Sequence, residues 1–185
     1  MKEAAMREID FSRLYVTDEN YSGKHGQRDV EFLKKIISDK ELVYIQFTHC
    51  TFVGMDLRDM DLKDLWFQDC MFQDCRFQKS RIEEWYAERT RFRKCSFKDA
   101  IIRMSDLERC EFQSCDLSFE EKERYTNKDT ISWLQNGKFR DCIITKYTKD
   151  MMIDCAIVKN TKIIMIGTEE IKKHKTEKIM EGAER

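Results

Sequence analysis

From Phe47 to Leu117 an apolar residue stands at every fifth position: Phe47, Phe52, Leu57, Leu62, Phe67, Phe72, Phe77, Ile82, Ala87, Phe92, Phe97, Ile102, Leu107, Phe112 and Leu117. Of these fifteen, only Ala87 is not Phe, Leu or Ile. Neither ordinary periodicity accounts for the run. Five steps on an α-helix advance about 500°, so successive members drift about 140° round the axis and make no stripe. On a flat strand an odd step sends each member to the opposite face. The cadence is an internal repeat whose backbone bends once per unit and returns each large side chain to one interior.

Two positions before each member stand Ile45, Cys50, Met55, Met60, Leu65, Cys70, Cys75, Ser80, Trp85, Thr90, Cys95, Ala100, Ser105, Cys110 and Cys115. Residues two apart on extended backbone share a face, so each unit sends one large and one smaller side chain inward. Cys50, Cys70, Cys75, Cys95, Cys110 and Cys115 join the large residues in the expected core. The remaining positions are mainly Asp, Gln, Arg, Lys and Glu, as solvent-facing sides and corners require. Such a coil stacks on itself, pairing backbone between turns at about 4.8 Å. At Trp85 and Ala87 the large and small residues trade places, and a local bulge in "EEWYAER" is the expected accommodation, with Trp85 turned outward as the alternative.

The run of fifteen units from Ile45 to Leu117 resembles the pentapeptide-repeat family, with Cys favoured at the small position and Phe at the large one. Periodicity alone permits three sides or four. The resemblance implies an all-β solenoid, a right-handed four-sided β-helix with a turn of about 20 residues. That turn places Cys50, Cys70, Thr90 and Cys110 on one inner face and Met55, Cys75, Cys95 and Cys115 on the next.

The ends divide the chain. Residues 1–41 form an N-terminal segment in which Val30, Leu33, Ile36 and Ile37 share one helical face, so a helix over 28–40 is expected to cap the first turn. Residues 1–24 are expected along the outside. The β-helix proper spans 42–117. A polar stretch, 118–138, reads as a loop or helix excursion. Residues 139–167 hold three strand-like segments, "FRDCIITK", "MMIDCAIVK" and "TKIIMIG", which continue the coil, cap it or meet a second copy. The charged tail, 168–185, reads as a surface helix or frayed end.

Composition narrows the function. The chain of 185 residues has net charge −1 and no apolar run long enough to span a membrane. Residues 1–16 lack the apolar core of a secretory signal, and the eight cysteines then read as reduced thiols of a cytoplasmic protein. The cysteines are expected to pack as small hydrophobes, with a hydroxyl at position 70 left without a partner. The three histidines, His25, His49 and His174, match no metal-ligand spacing, so neither metal nor cofactor is expected. No phosphate-cradling glycine loop, nucleophile elbow or acid–base pair is present, and a bore filled by its own side chains leaves no cleft. The chain reads as no enzyme.

Recognition is therefore expected on the exterior. Trp66 and Tyr86 fall one turn apart on the outside, as interface anchors do unless the N-terminal segment covers them. Arg89, Arg91, Arg93 and Lys94 form a basic cluster beyond them. The leading expectation is a regulator or inhibitor, in a bacterial or phage setting, that binds a partner protein through the outer faces of a rigid rod. The resemblance supplies the alternative, a DNA-mimicking binder of DNA gyrase of the quinolone-resistance type. That mimicry relies on a strongly acidic surface, whereas residues 42–117 carry fourteen acids and twelve bases. Direct nucleic-acid binding through the basic cluster is a third, lesser expectation, and a homodimer through the C-terminal region a further one.

Overall fold

In the computed structural model, residues 7–12, 15–17, 27–29, 34–35, 42–119, 132–158 and 160–164 are described. They wind into a four-sided β-solenoid. The first side holds Leu42–Thr48, Leu65–Gln68, Tyr86–Glu88, Asp106–Glu108, Trp133–Gln135 and Met152–Ile153, with Arg7–Ser12 at its edge. The second holds Thr51–Val53, Met71–Gln73, Arg91–Arg93, Glu111–Gln113, Lys138–Arg140 and Ala156–Val158. The third runs through bridges at Asp56, Arg76, Ser96 and Asp116 to Ile143–Thr145 and Lys162–Ile164. The fourth holds Asp61–Lys63, Arg81–Glu83 and Ile101–Arg103. All pairing is parallel and one turn is 20 residues, so Phe52 stands on Phe72, Phe72 on Phe92 and Phe92 on Phe112.

The corners explain the repeat. Two residues after each large inward residue from Phe47 to Phe112 the backbone turns left-handed, with φ of 57° at Asp59, 53° at Asp69, 54° at Asp74, 59° at Lys79 and 58° at Asp99. Gly54, at φ 68°, occupies one such corner. Asp, Asn and Gly suit this conformation, while a long side chain costs about 1–2 kcal/mol there. Lys79 is exposed and its N–H bonds the Lys98 carbonyl at 3.2 Å, a contact glycine would keep. Lys79→Gly is expected to raise stability by roughly 0.5–1 kcal/mol after the entropy of the freer unfolded chain is subtracted. The urea midpoint measures this, and a lower midpoint would contradict it.

Several expectations change. Arg7–Ser12 and Tyr15–Thr17 do not lie along the outside: they extend the first and second sides, with Ile9 on Ile45, Phe11 on Phe47 and Val16 on Phe52. Open backbone at the first turn is satisfied by another strand of the same coil. Of the expected capping segment, Arg28 and Asp29 belong to the strand Gln27–Asp29, and Lys34 and Lys35 are helical. Val30, Leu33, Ile36 and Ile37 lie outside the described residues, as does the tail 168–185.

No bulge forms at "EEWYAER". Tyr86, Ala87 and Glu88 pair with Trp66, Phe67 and Gln68 in unbroken register. Trp85 is buried, with its ring centroid 5.0 Å from Phe67 and 5.8 Å from Phe77. The indole reaches across the bore and fills what Ala87 leaves empty, so the backbone has nothing to relieve.

Beyond Leu117 the coil resumes within the stretch expected as an excursion. Leu134 stacks on Leu107, Phe139 on Phe112 and Ile144 on Leu117, each 27 positions on, so seven residues are inserted. In the next turn a short helix, Lys146–Asp150, follows the third-side strand and precedes Met152–Ile153, so it takes the fourth side. Thr145 caps it, accepting from the Thr148 N–H at 3.1 Å.

Candidate partner-binding surface

Among the described residues the bore is filled by side chains. On the second side the rings of Phe52, Phe72, Phe92, Phe112 and Phe139 stack at centroid distances of 4.5, 5.1, 4.9 and 4.9 Å. Phe77 and Phe97 stack on the third at 4.6 Å. The six expected core cysteines are buried, and all eight cysteines of the chain are free thiols.

These thiols do more than fill space. Apart from Cys50, whose Sγ donates to Thr48 O at 3.4 Å, each donates to the carbonyl of an inward residue of the turn below, as Cys70 Sγ does to Phe47 O at 3.3 Å, Cys75 to Phe52 O at 3.5 Å, Cys110 to Ala87 O at 3.4 Å and Cys115 to Phe92 O at 3.3 Å. Some also accept an N–H, as Cys70 Sγ does from Cys50 N at 3.4 Å. Thr90 performs both roles with a hydroxyl, accepting from Cys70 N at 3.3 Å and donating to Phe67 O at 3.4 Å. The small position therefore serves backbone groups, which corrects the expectation for Cys70→Ser. Its hydroxyl would find Phe47 O and Gln68 O, so the loss should stay below about 1 kcal/mol. Thermal unfolding checks it, and a loss of several kcal/mol would contradict it.

Burial pushes the Cys95 thiol well above its ordinary range and the Cys110 thiol up to about 12, against 9.0 for a free one. Between those values the unfolded chain ionises Cys110 while the folded chain does not, so the unfolded state holds fewer protons and stability falls as pH rises. The contribution is complete below pH 9.0 and declines up to about 12. From pH 9 to 10 the loss from Cys110 should be about 1 kcal/mol. Urea unfolding at pH 7.5, 9 and 10 measures it, and a Cys110→Ala chain should show a shallower decline. An equal decline in both would remove Cys110 as the cause.

Trp66 and Tyr86 stand on adjacent rungs of the first side, 36 % and 41 % exposed, with ring centroids 5.6 Å apart and planes tilted by 37°. Trp133, 37 % exposed, stands in the same outward column two rungs beyond Tyr86, with Asp106 between them. Trp133 escapes a reading at fixed spacing because seven inserted residues separate its rung from that of Asp106. The signal is there in "SWLQ", where Ser132 and Leu134 keep the small–large pair.

The basic residues separate. Arg89 sits at the corner after the first side and is engaged, Nε to Asp69 Oδ1 at 2.8 Å and Nη2 to Oδ2 at 3.0 Å, with Glu88 also paired to it. Arg91 and Arg93 point outward from the second side, flanking Phe92, with Lys94 at the next corner. Two rungs on, Lys138 and Arg140 stand in the same outward columns. The acid between them is neutralised, since Lys138 Nζ lies 3.3 Å from Glu111 Oε1. Arg93 Nε donates to Gln113 Oε1 at 3.3 Å.

Residues 29–122 match the family described as the SV2A/B/C luminal domain, over half of the chain. The chain belongs to the SV2A/B/C luminal-domain family. In this member the fold is that of a pentapeptide-repeat β-helix. Solved structures it resembles include full-length QnrB1, titled a plasmid-mediated fluoroquinolone resistance protein, at 14% identity over 80% of this chain and 70% of that one, with a TM-score of 0.39. A trypsin-treated form of QnrB1 aligns at 13% identity over 87% of this chain and 74% of that one, with a TM-score of 0.43. Rfr23, a pentapeptide repeat protein from the cyanobacterium Cyanothece 51142, aligns at 13% identity over 64% of this chain and 91% of its own, with a TM-score of 0.31. No curated protein matches the chain. Among the described residues of this family member, no group of three or more His, Cys, Asp or Glu is placed to hold a metal ion, and no helix is long and apolar enough to cross a membrane.

Proposed function

We propose that this chain is a non-enzymatic protein-interaction module, a regulator or inhibitor that binds a partner protein through the outer faces of its rigid coil. The observation that carries this reading is the row of exposed aromatics Trp66, Tyr86 and Trp133 on one straight side, above a bore occupied by the chain's own rings. Large aromatics held in fixed positions are the residues on which interface energy concentrates. Arg91, Arg93 and Lys94 extend the candidate surface round the corner, whereas Arg89 serves its own ion pairs and contributes less.

The test is affinity capture from lysate, comparing the unaltered chain with Trp66→Ser/Tyr86→Ser. Loss of the captured partner with the fold intact is expected, and retention of every partner by the variant would overturn the reading. Inhibition of gyrase supercoiling at micromolar protein would instead select the gyrase alternative, which fourteen acids against twelve bases over residues 42–117 do not favour. Salt-dependent retention on DNA would select nucleic acid through Arg91, Arg93 and Lys94.

Two further parts belong to this reading. The eight free thiols support a reducing, cytoplasmic setting for this chain, in contrast to the lumen in the name of its family. The last turn supports pairing with a second copy. Its inward residues Ile157 and Ile163 are each 46 % exposed, and Met152–Ile153, Ala156–Val158 and Lys162–Ile164 end their sheets among the described residues. Light scattering of the chain and of Ile157→Asp/Ile163→Asp tests this, with a dimer expected to become a monomer.

A further inference from the structure

The outward column of the first side reads Gln46, Trp66, Tyr86, Asp106, Trp133, in register through every rung. Asp106 has an aromatic residue on the rung to each side of it. Rungs about 4.8 Å apart put Tyr86 and Trp133 about 10 Å from one another, with the shorter aspartate forming the floor between them. Tyr86 leans on Trp66 on one side, and its other side borders the rung of Asp106. Two rungs, about 10 Å, equal the thickness of two rings with one planar group between them.

The floor is a carboxylate without a cation. Gln135 Nε2 donates to Asp106 Oδ1 at 3.0 Å and to Oδ2 at 3.1 Å, which fixes the group. No Lys or Arg among the described residues pairs with it. The nearby acids are provided for: Arg109 Nε lies 3.3 Å from Glu108 Oε1, and Arg89 pairs with Glu88. Partial burial pushes the Asp106 carboxyl up, with the Gln135 contact opposing and the neighbouring Glu108 charge adding to the rise. A bound cation would remove that penalty.

Resting on the protein-interaction reading, we propose that Tyr86, Asp106 and Trp133 form a notch that receives an arginine side chain of the partner protein. A guanidinium is planar, is attracted to the faces of Trp and Tyr, and binds both oxygens of a carboxylate through two parallel N–H bonds. A lysine ammonium fills the same charge requirement but neither stacks nor bridges the two oxygens.

The probe is N-acetyl-arginine amide, followed through the indole N–H signals of Trp133 and Trp85 by NMR, with the lysine and citrulline analogues as controls. The expected result is a saturable shift of the Trp133 signal at millimolar arginine amide, several-fold weaker binding of the lysine analogue and none of citrulline. The buried Trp85 signal should stay in place and report an intact fold. Asp106→Asn, which keeps shape and removes charge, should weaken arginine binding at least fivefold. Equal binding by Asp106→Asn, or an equal response to citrulline, overturns the notch. If the arginine amide fails while a partner is still captured and is lost with Trp66→Ser/Tyr86→Ser, the notch falls and the interaction reading stands. If arginine binds but capture is indifferent to those substitutions, the interaction reading falls instead.

Discussion

Phe72→Ala is expected to lower the unfolding free energy by about 3–5 kcal/mol. The Phe72 ring lies between Phe52 at 4.5 Å and Phe92 at 5.1 Å, and meets Phe67 edge-on at 5.0 Å and Phe77 at 5.7 Å. Its neighbours are fixed in register by backbone pairing with the turns above and below, so they cannot collapse into the space that alanine leaves. An unrelaxed cavity sits at the costly end of such substitutions. Since a domain's whole stability is about 5–15 kcal/mol, the loss should be plain in urea unfolding. Gln73→Ala, one residue away and outward, should change stability by no more than about 0.5 kcal/mol. A loss under about 1 kcal/mol at Phe72 would mean that its ring does not stand in a fixed stack.

Trp85 and Ala87 should behave as one unit in a double-mutant cycle. Trp85→Ser alone removes the indole that packs on Phe67 and Phe77, with nothing to replace it, and is expected to cost about 4–5 kcal/mol. Ala87→Phe alone adds a ring where the indole already sits and should cost about 1–3 kcal/mol. Together they restore the ordinary arrangement: a phenyl at position 87 stands on Phe67, and a serine at 85 copies Ser105 one turn on, whose Oγ donates to Arg103 O at 2.7 Å. The pair should lie well above the sum of the single changes, with a coupling of about 2–3 kcal/mol. Additive losses would show that the two residues do not share one volume.

Particular residues show why some of this was legible in advance. Phe72 is predictable as buried because an odd step of five defeats both helix and flat strand, leaving a bending coil as the solution. Trp85 was ambiguous because burial of an indole opposite an alanine depends on how far it reaches across the bore. The first turn was also present in the sequence, as Phe11 and Val16 stand five apart, but 36 positions separate Val16 from Phe52 where a regular turn has 20. An interrupted repeat loses its phase, and local spacing cannot restore it. The same holds for Asp106 and Trp133, whose adjacency depends on the seven residues inserted before Ser132.

The amino-acid sequence by itself determined which side chains of the unbroken repeat line the bore, Trp85 apart, because each must return to one interior every fifth residue and only apolar or small groups lower the free energy there. Only the tertiary structure decided which outward residues are neighbours. Those contacts join different turns, and their register is set by backbone pairing across insertions whose length carries no local signal. Trp66 beside Tyr86 could be counted out along the chain, but the carboxylate of Asp106 between two aromatic rings came into being only when the coil closed over its insertion.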